Sequence, residues 1–244
     1  MQRTSIAVVL ALVLLTLIAP AGATFIPADG AQVVRVDVFA GADRGSYELV
    51  FPHGAAISGR AGFSLPAPVE IRSDGRLLAT LRSLTVELEA DPAVSLGFAV
   101  TAGNAPTTFI ITSANLSFSP LVDPLGYASA GVTLTDNDGT GANITGLYGG
   151  LCYEARYNGS SVFADLLPPL TAPACTSVTM SDRMPPLGSQ VVLDTLSSIQ
   201  TSFGFTLSAK DQASGTSHFE VMIPEPASLS LLGAAGLLLL RRRR

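Results

Sequence analysis

Leu84, Val86 and Leu88 alternate with Thr85, Glu87 and Glu89, and after Ala90-Asp91-Pro92-Ala93 a second run, Val94, Leu96, Phe98 and Val100, alternates with Ser95, Gly97, Ala99 and Thr101. A period of two places every other side chain on one face, so each run is a strand with one buried and one solvated side. A helix does not fit, because its apolar positions recur every three to four residues. Joined by the short Asp-Pro break, the two runs predict a β-hairpin.

Further strands are predicted at 33–39, 47–51, 69–72, 107–112, 131–135, 143–148, 152–157 and 177–180, each short and bounded by Gly, Pro, Asn or Asp. A second hairpin is expected late in the chain, with Phe203, Phe205 and Leu207 in one strand, 210–215 as the turn, and Phe219 and Val221 in the other. Residues 192–199 carry the one marginal helical pattern of the body, and Pro-rich 168–188 reads as a long surface loop or a weak boundary. Some ten strands at frequent turn spacing predict an all-β fold, a single antiparallel β-sandwich of jelly-roll or Ig-like kind.

The two ends differ from this body. Residues 1–23 carry one basic residue, Arg3, then an apolar run, then Ala21-Gly22-Ala23, the pattern of a secretory signal peptide with a signal helix. The sandwich is expected over 24–222. The last segment, 223–244, starts with Ile223-Pro224-Glu225-Pro226, continues through an apolar stretch at 227–240 and closes with Arg241, Arg242, Arg243 and Arg244. As a helix that stretch spans only about 21 Å against a hydrocarbon core of about 30 Å. A block of arginines beside it stays on the cytoplasmic side. The expected topology has the body outside and the tail inside, with the inner membrane as an intermediate station.

In this order and place, Pro224-Glu225-Pro226, the Gly-containing apolar stretch and the terminal arginines resemble the PEP-CTERM sorting signal, also labelled the ice-binding protein C-terminal domain. The resemblance implies export by the Sec machinery and an exosortase, a membrane cysteine transpeptidase that recognises Pro224 to Pro226 and removes the tail. It further implies a host that makes exopolysaccharide, and a destination at the cell surface or in the extracellular matrix. The body resembles secreted proteins carrying the same tail, in stretches such as Thr135-Asp136-Asn137-Asp138-Gly139 and Ala155-Arg156-Tyr157-Asn158-Gly159. No activity comes with that second resemblance.

Charge narrows the partners. Setting aside Arg3, the four terminal arginines and Glu225 leaves 9 of the 14 basic and 18 of the 19 acidic residues, a body at −9. No basic cluster remains to neutralise a row of phosphates, which excludes nucleic acid. Cys152 and Cys175 are the two cysteines, and export favours a disulfide between them, worth roughly 3 kcal/mol by loop closure. Asp136 and Asp138 lie in a run of oxygen donors relieved by glycine, which resembles the front half of a Ca²⁺ loop. The twelfth position from Asp136 is Leu147 where an EF-hand needs a bidentate Glu, and Asn-Asp-Gly is also a hairpin turn signal. Glu87 and Glu89 share a strand face, and no Gly-x-Ser-x-Gly elbow is present. The only histidines are His53 and His218. Tyr148, Tyr153 and Tyr157 are the nearest approach to a sugar-stacking platform in a chain without Trp, and the alternative is plain sheet packing. The expectation is a non-enzymatic surface or matrix protein with a structural or adhesive role. The alternatives are a weak carbohydrate- or Ca²⁺-binding module and a matrix-polymer hydrolase, which would need two carboxylates, or His218 and a nucleophile, in one cleft.

Overall fold

Alternation governs the structure, a computed structural model that describes residues 24–25, 32–50 and 57–222. The expected signal peptide at 1–23 and the expected sorting segment at 223–244, with its terminal arginines, lie outside the described residues. In chain order the described strands are β1 (Thr24–Phe25), β2 (Gln32–Ala40), β3 (Asp43–Val50), β4 (Ile57–Ser58), β5 (Arg60–Ser64), β6 (Val69–Ser73) and β7 (Arg76–Glu89). Next come β8 (Ala93–Ala102), β9 (Thr107–Ser113), β10 (Leu116–Val122), β11 (Leu125–Thr135), β12 (Ala142–Gly146) and β13 (Tyr153–Tyr157). The series ends with β14 (Ser161–Leu166), β15 (Leu170–Ala172), β16 (Ser177–Met184), β17 (Gln190–Val191), β18 (Thr195–Leu207) and β19 (Gln212–Met222). No helix occurs among the described residues.

Two antiparallel sheets face each other in a sandwich. One has nine strands, with β14-β13-β18-β9-β2-β3 in line, β10 and β12 also bonded to β18, and β15 to β12. The other has eight, with β16-β11-β19-β8-β7-β5 in line, β17 bonded to β11 and β6 to β7. The β7–β8 hairpin forms as the alternation predicts, with Glu89 opposite Ala93 and Leu84 opposite Phe98. Leu84, Val86, Leu88, Val94, Leu96, Phe98 and Val100 are all buried.

The second hairpin does not form. Phe203 to Leu207 belong to β18 in the nine-stranded sheet, whereas Phe219 and Val221 belong to β19 in the eight-stranded one. Residues 208–211 carry the chain from one sheet to the other, so these runs bury their apolar faces in the core from opposite layers instead of sharing a ladder. The predicted turn at 136–141 is likewise a crossover, from β11 to β12. Residues 195–199 of the marginal helical pattern are strand, and the Pro-rich 168–188 contributes β15 and β16, the latter paired with β11 from Ser177 opposite Thr135 to Met184 opposite Ala128.

Aromatic residues from both sheets close the core. The Phe98 ring of β8 lies 4.9 Å from that of Phe203, edge-on, and 5.7 Å from that of Phe205, stacked. Room for Phe98 comes from β19, where Gly215 stands opposite it in register. A Cβ at Gly215 would lie 2.6 Å from Phe98 Cε1, closer than packed atoms tolerate.

The sandwich has two distinct ends. At one, the chain changes sheets four times, between β8 and β9, β11 and β12, β15 and β16, and β18 and β19. At the opposite end β10 stops with Val122 opposite Thr195, and β11 starts with Leu125 opposite both Val191 and Met222.

Because Phe98 is held between two other rings and cannot swing aside, Gly215→Ala should lose about 1–3 kcal/mol by overpacking. Gly62→Ala, in edge strand β5 with nothing within 4 Å of its added Cβ, should stay within about 0.5 kcal/mol of the parent. Urea unfolding of the two variants checks the contrast.

Candidate functional site

Asp136, Asp138 and Asp211 converge where the four crossovers meet, with one carboxylate oxygen from each lying within 4.8 Å of the others. Asp136 is nearly buried at the end of β11, and Asp211, fully buried, closes the link from β18 to β19. The Asp136 carboxylate accepts the Cys175 N–H at 2.5 Å, the Gly139 N–H at 3.2 Å and the Asp138 N–H at 3.4 Å. Asp211 Oδ1 accepts the Asn137 N–H at 3.1 Å, and its other oxygen accepts the Ser208 hydroxyl. Asp138 Oδ1 accepts both donors of Thr140, while Lys210 Nζ lies 3.9 Å from its Oδ2. The backbone completes the junction: Ala102 N–H donates to the Asp211 carbonyl and Lys210 N–H to the Gly103 carbonyl.

These contacts tie the β8–β9, β11–β12, β15–β16 and β18–β19 links into one knot. The Cys175 N–H, followed by those of Gly141, Asp138 and Gly139, holds the Asp136 carboxyl below the ordinary carboxylate range against the opposing effect of burial. Ca²⁺ takes six to eight oxygens; three carboxylates are a start toward that shell. All three already accept internal donors, and an ammonium group stands beside Asp138. Asp136 and Asp138 were legible in the sequence as one loop. Asp211 was not, since the sequence shows it only as part of a turn.

The outer face of the eight-stranded sheet carries a shallow trough of about 670 Å³, lined chiefly by Tyr127, Ser129, Ser181, Arg183, Thr216 and His218. It arises because β11, β19 and β16 present short Ser, Thr and Gly residues outward while Tyr127, Arg183 and His218 rise at one end. Ser95 Oγ lies 2.9 Å from His218 Nδ1, and Glu220 Oε2 lies 3.3 Å from Nε2. This brings a hydroxyl, an imidazole and a carboxylate into line. Acyl transfer also needs preorganised donors for an oxyanion, and Ser95 lies inside β8, whose backbone is laddered to β7 on one side and β19 on the other. The trio offers polar recognition with no backbone anion pocket at the hydroxyl. Glu87 and Glu89, the other carboxylate pair, both meet Arg60 of β5.

The cysteines are not bridged. Cys152 is buried and Cys175 exposed, and both are free. Cys152 lies in the core with its backbone bonded to Leu167 and Gly204, whereas Cys175 belongs to the crossover knot beside Asp136. Sequence spacing fixes the loop between two cysteines but not their depth. Burial pushes the Cys152 thiol up to about 11, so it stays protonated at neutral pH.

Tyr153 and Tyr157, alike in strand parity, share the inward face of β13, and Tyr148 does not join them. Tyr153 is wholly buried with its ring 5.1 Å from that of Phe203, and Tyr157 packs partly buried against the core. Tyr148 stands apart on the outer face of the nine-stranded sheet, its hydroxyl 2.6 Å from Ser202 Oγ and its ring over Gly204, where a Cβ would fall 2.8 Å from Cζ.

No protein-family model matches the chain, and no curated protein does. Among solved structures it is similar to the adhesin domain of Epf from Streptococcus pyogenes, at 9% identity and a TM-score of 0.30, over 82% of this chain and 62% of that one. It is also similar to the arabinose-bound α-L-arabinofuranosidase MgGH51, at 12% identity and a TM-score of 0.27, over 65% of this chain and 23% of that one. The chain thus spans less than two thirds of either structure, and at these scores neither likeness informs fold or function.

Asp136 gives a pH signature. Its folded-state carboxyl titrates below the ordinary value of 3.8, so the stability it adds is complete above that pH and drains away as the pH falls through the lowered value. Thermal melts of the wild type should drop over that acidic window by more than those of Asp136→Asn. At neutral pH the variant should melt lower, because one amide oxygen replaces two accepting oxygens.

Proposed function

We propose that this is an exported, non-enzymatic β-sandwich, held briefly in the inner membrane by its C-terminal segment, released by an exosortase, and used as a structural or adhesive component at the cell surface or in the exopolysaccharide matrix. The observation that carries the reading is the order Pro224-Glu225-Pro226, apolar 227–240, Arg241 to Arg244 at the end of a chain that starts with an export signal. The polar trough around Tyr127, Arg183 and His218 supports an adhesive role, since hydroxyls, a guanidinium and an imidazole beside one ring suit a hydroxylated polymer. The body's excess of acidic residues suits solubility once the domain is released.

Ca²⁺ binding is the second reading, favoured by the arrival of Asp211 beside Asp136 and Asp138. A cation bound there would raise the melting temperature, and Asp138→Asn would remove the rise. Unchanged melting in millimolar Ca²⁺ would dismiss it.

Intact mass and terminal peptides of the protein from its native host test the main reading, with envelope and medium analysed separately. The expected product starts near Thr24 and ends between Pro224 and Pro226. A chain in the envelope that still carries Arg241 to Arg244 would make the segment a permanent anchor and overturn exosortase processing.

A further inference from the structure

Most of the large apolar side chains exposed on the sandwich gather at the end away from the carboxylate knot. Among the described residues eight large hydrophobics are exposed, and Val122, Leu187, Val191, Leu193 and Met222 belong to this one end. Leu193 is 87% exposed, Leu187 81% and Val122 72%, values that a water-facing loop would normally give to polar side chains. Their proximity follows from the ladders. Val122 stands opposite Thr195, Leu125 opposite both Val191 and Met222, and the Asp123 N–H donates to the Asp194 carbonyl. The 184–190 link that carries Leu187 shares a pocket with Met222 through Gly188 and Ser189.

Two facts of chain path say what covers this end. Met222, one of the five, is five residues before Ala227, where the apolar stretch starts, and a fully extended chain caps that separation at about 18 Å. The first strand of the nine-stranded sheet, β2, also starts toward this end, because Val34 pairs with Ser113 while Phe39 pairs with Thr108 nearer the crossovers. Both terminal segments therefore join the sandwich on the apolar side.

We infer that this end is a membrane-facing surface: while the tail spans the inner membrane, Leu187, Leu193, Val122 and Val191 rest in the interfacial layer of the outer leaflet and the carboxylate knot points away from it. The inference rests on the proposed membrane intermediate. The contact is apolar in character, because the only ionisable side chains on the links are the acidic Asp123 and Asp194, and the one guanidinium beside Met222, that of Arg183, shares its pocket with Glu220, which leaves no net attraction to anionic lipid. Once the tail is removed nothing holds this surface at the bilayer, and the domain departs.

Cys175 supplies a built-in control, being an exposed thiol at the opposite end while Cys152 is buried. The chain, made in a host without an exosortase so that its tail stays intact, is reconstituted into phosphatidylcholine vesicles with an environment-sensitive fluorophore on Cys175, or on Leu193→Cys in a Cys175→Ser background. A lipid-borne quencher should quench the probe at 193 several times more strongly than the probe at 175, and Leu187→Cys should behave like 193. Salt should leave the difference unchanged. If the chain floats with the vesicles but both ends are quenched alike, this proposal fails and the membrane intermediate stands. If the probe at 193 is shielded from water-borne quencher yet not reached from the lipid, a protein surface covers this end and the proposal fails. A chain that does not float overturns the membrane intermediate and this proposal together.

Discussion

The contact of Phe98 with Phe203 and Phe205 joins the two sheets through the core, and the strands around it leave the room it needs. Gly215 yields the volume that the Phe98 ring fills, while Gly126 does the same for Phe163, whose ring stacks on Phe219 at 5.2 Å. Gly215 makes room within the sheet that carries Phe98, and Gly126 makes room across the core for a ring of the other sheet, so large side chains meet small ones and the interior packs closely. The inward positions of β11 start small, with Gly126 under the Phe163 ring and then Ala128 and Ala130, and end with Val132 and Leu134.

A sandwich whose chain crosses between layers so often has a problem at the crossings, since each leaves backbone groups outside both ladders. Here four crossings are gathered at one end and share a set of carboxylate acceptors. Asp136 and Asp211 turn loops that would otherwise depend on water into mutual partners. This explains why acidic side chains are buried in a protein with almost no lysine, without appeal to a ligand.

Alternation made the β7–β8 hairpin and most strand positions legible, because a buried face leaves the same mark wherever the strand is placed. It does not say which layer a strand joins. Phe203 to Leu207 and Phe219 to Val221 show identical patterns and lie in opposite sheets. Edge and bulged strands left the weakest marks: β10, which breaks register between Ser117 and Leu121, has no counterpart among the expected strands, and β16, mostly solvated on an outer edge, is expected only over 177–180. At the candidate sites the sequence revealed local sets such as Asp136 with Asp138. It hid every partner delivered by topology, including Asp211 and the Ser95–His218 contact.

The shared exit of both ends has a mechanical consequence. A force applied between Gln32 and Met222 would pull β2 and β19 from the end at which both leave the sandwich, opening their ladders one hydrogen bond at a time. A force between the knot at Asp136 and Met222 would load β11 and β19 along their length, so that all eleven paired positions between them resist together. A domain built this way yields readily when stretched between Gln32 and Met222 and resists when gripped at its far loops and at Met222.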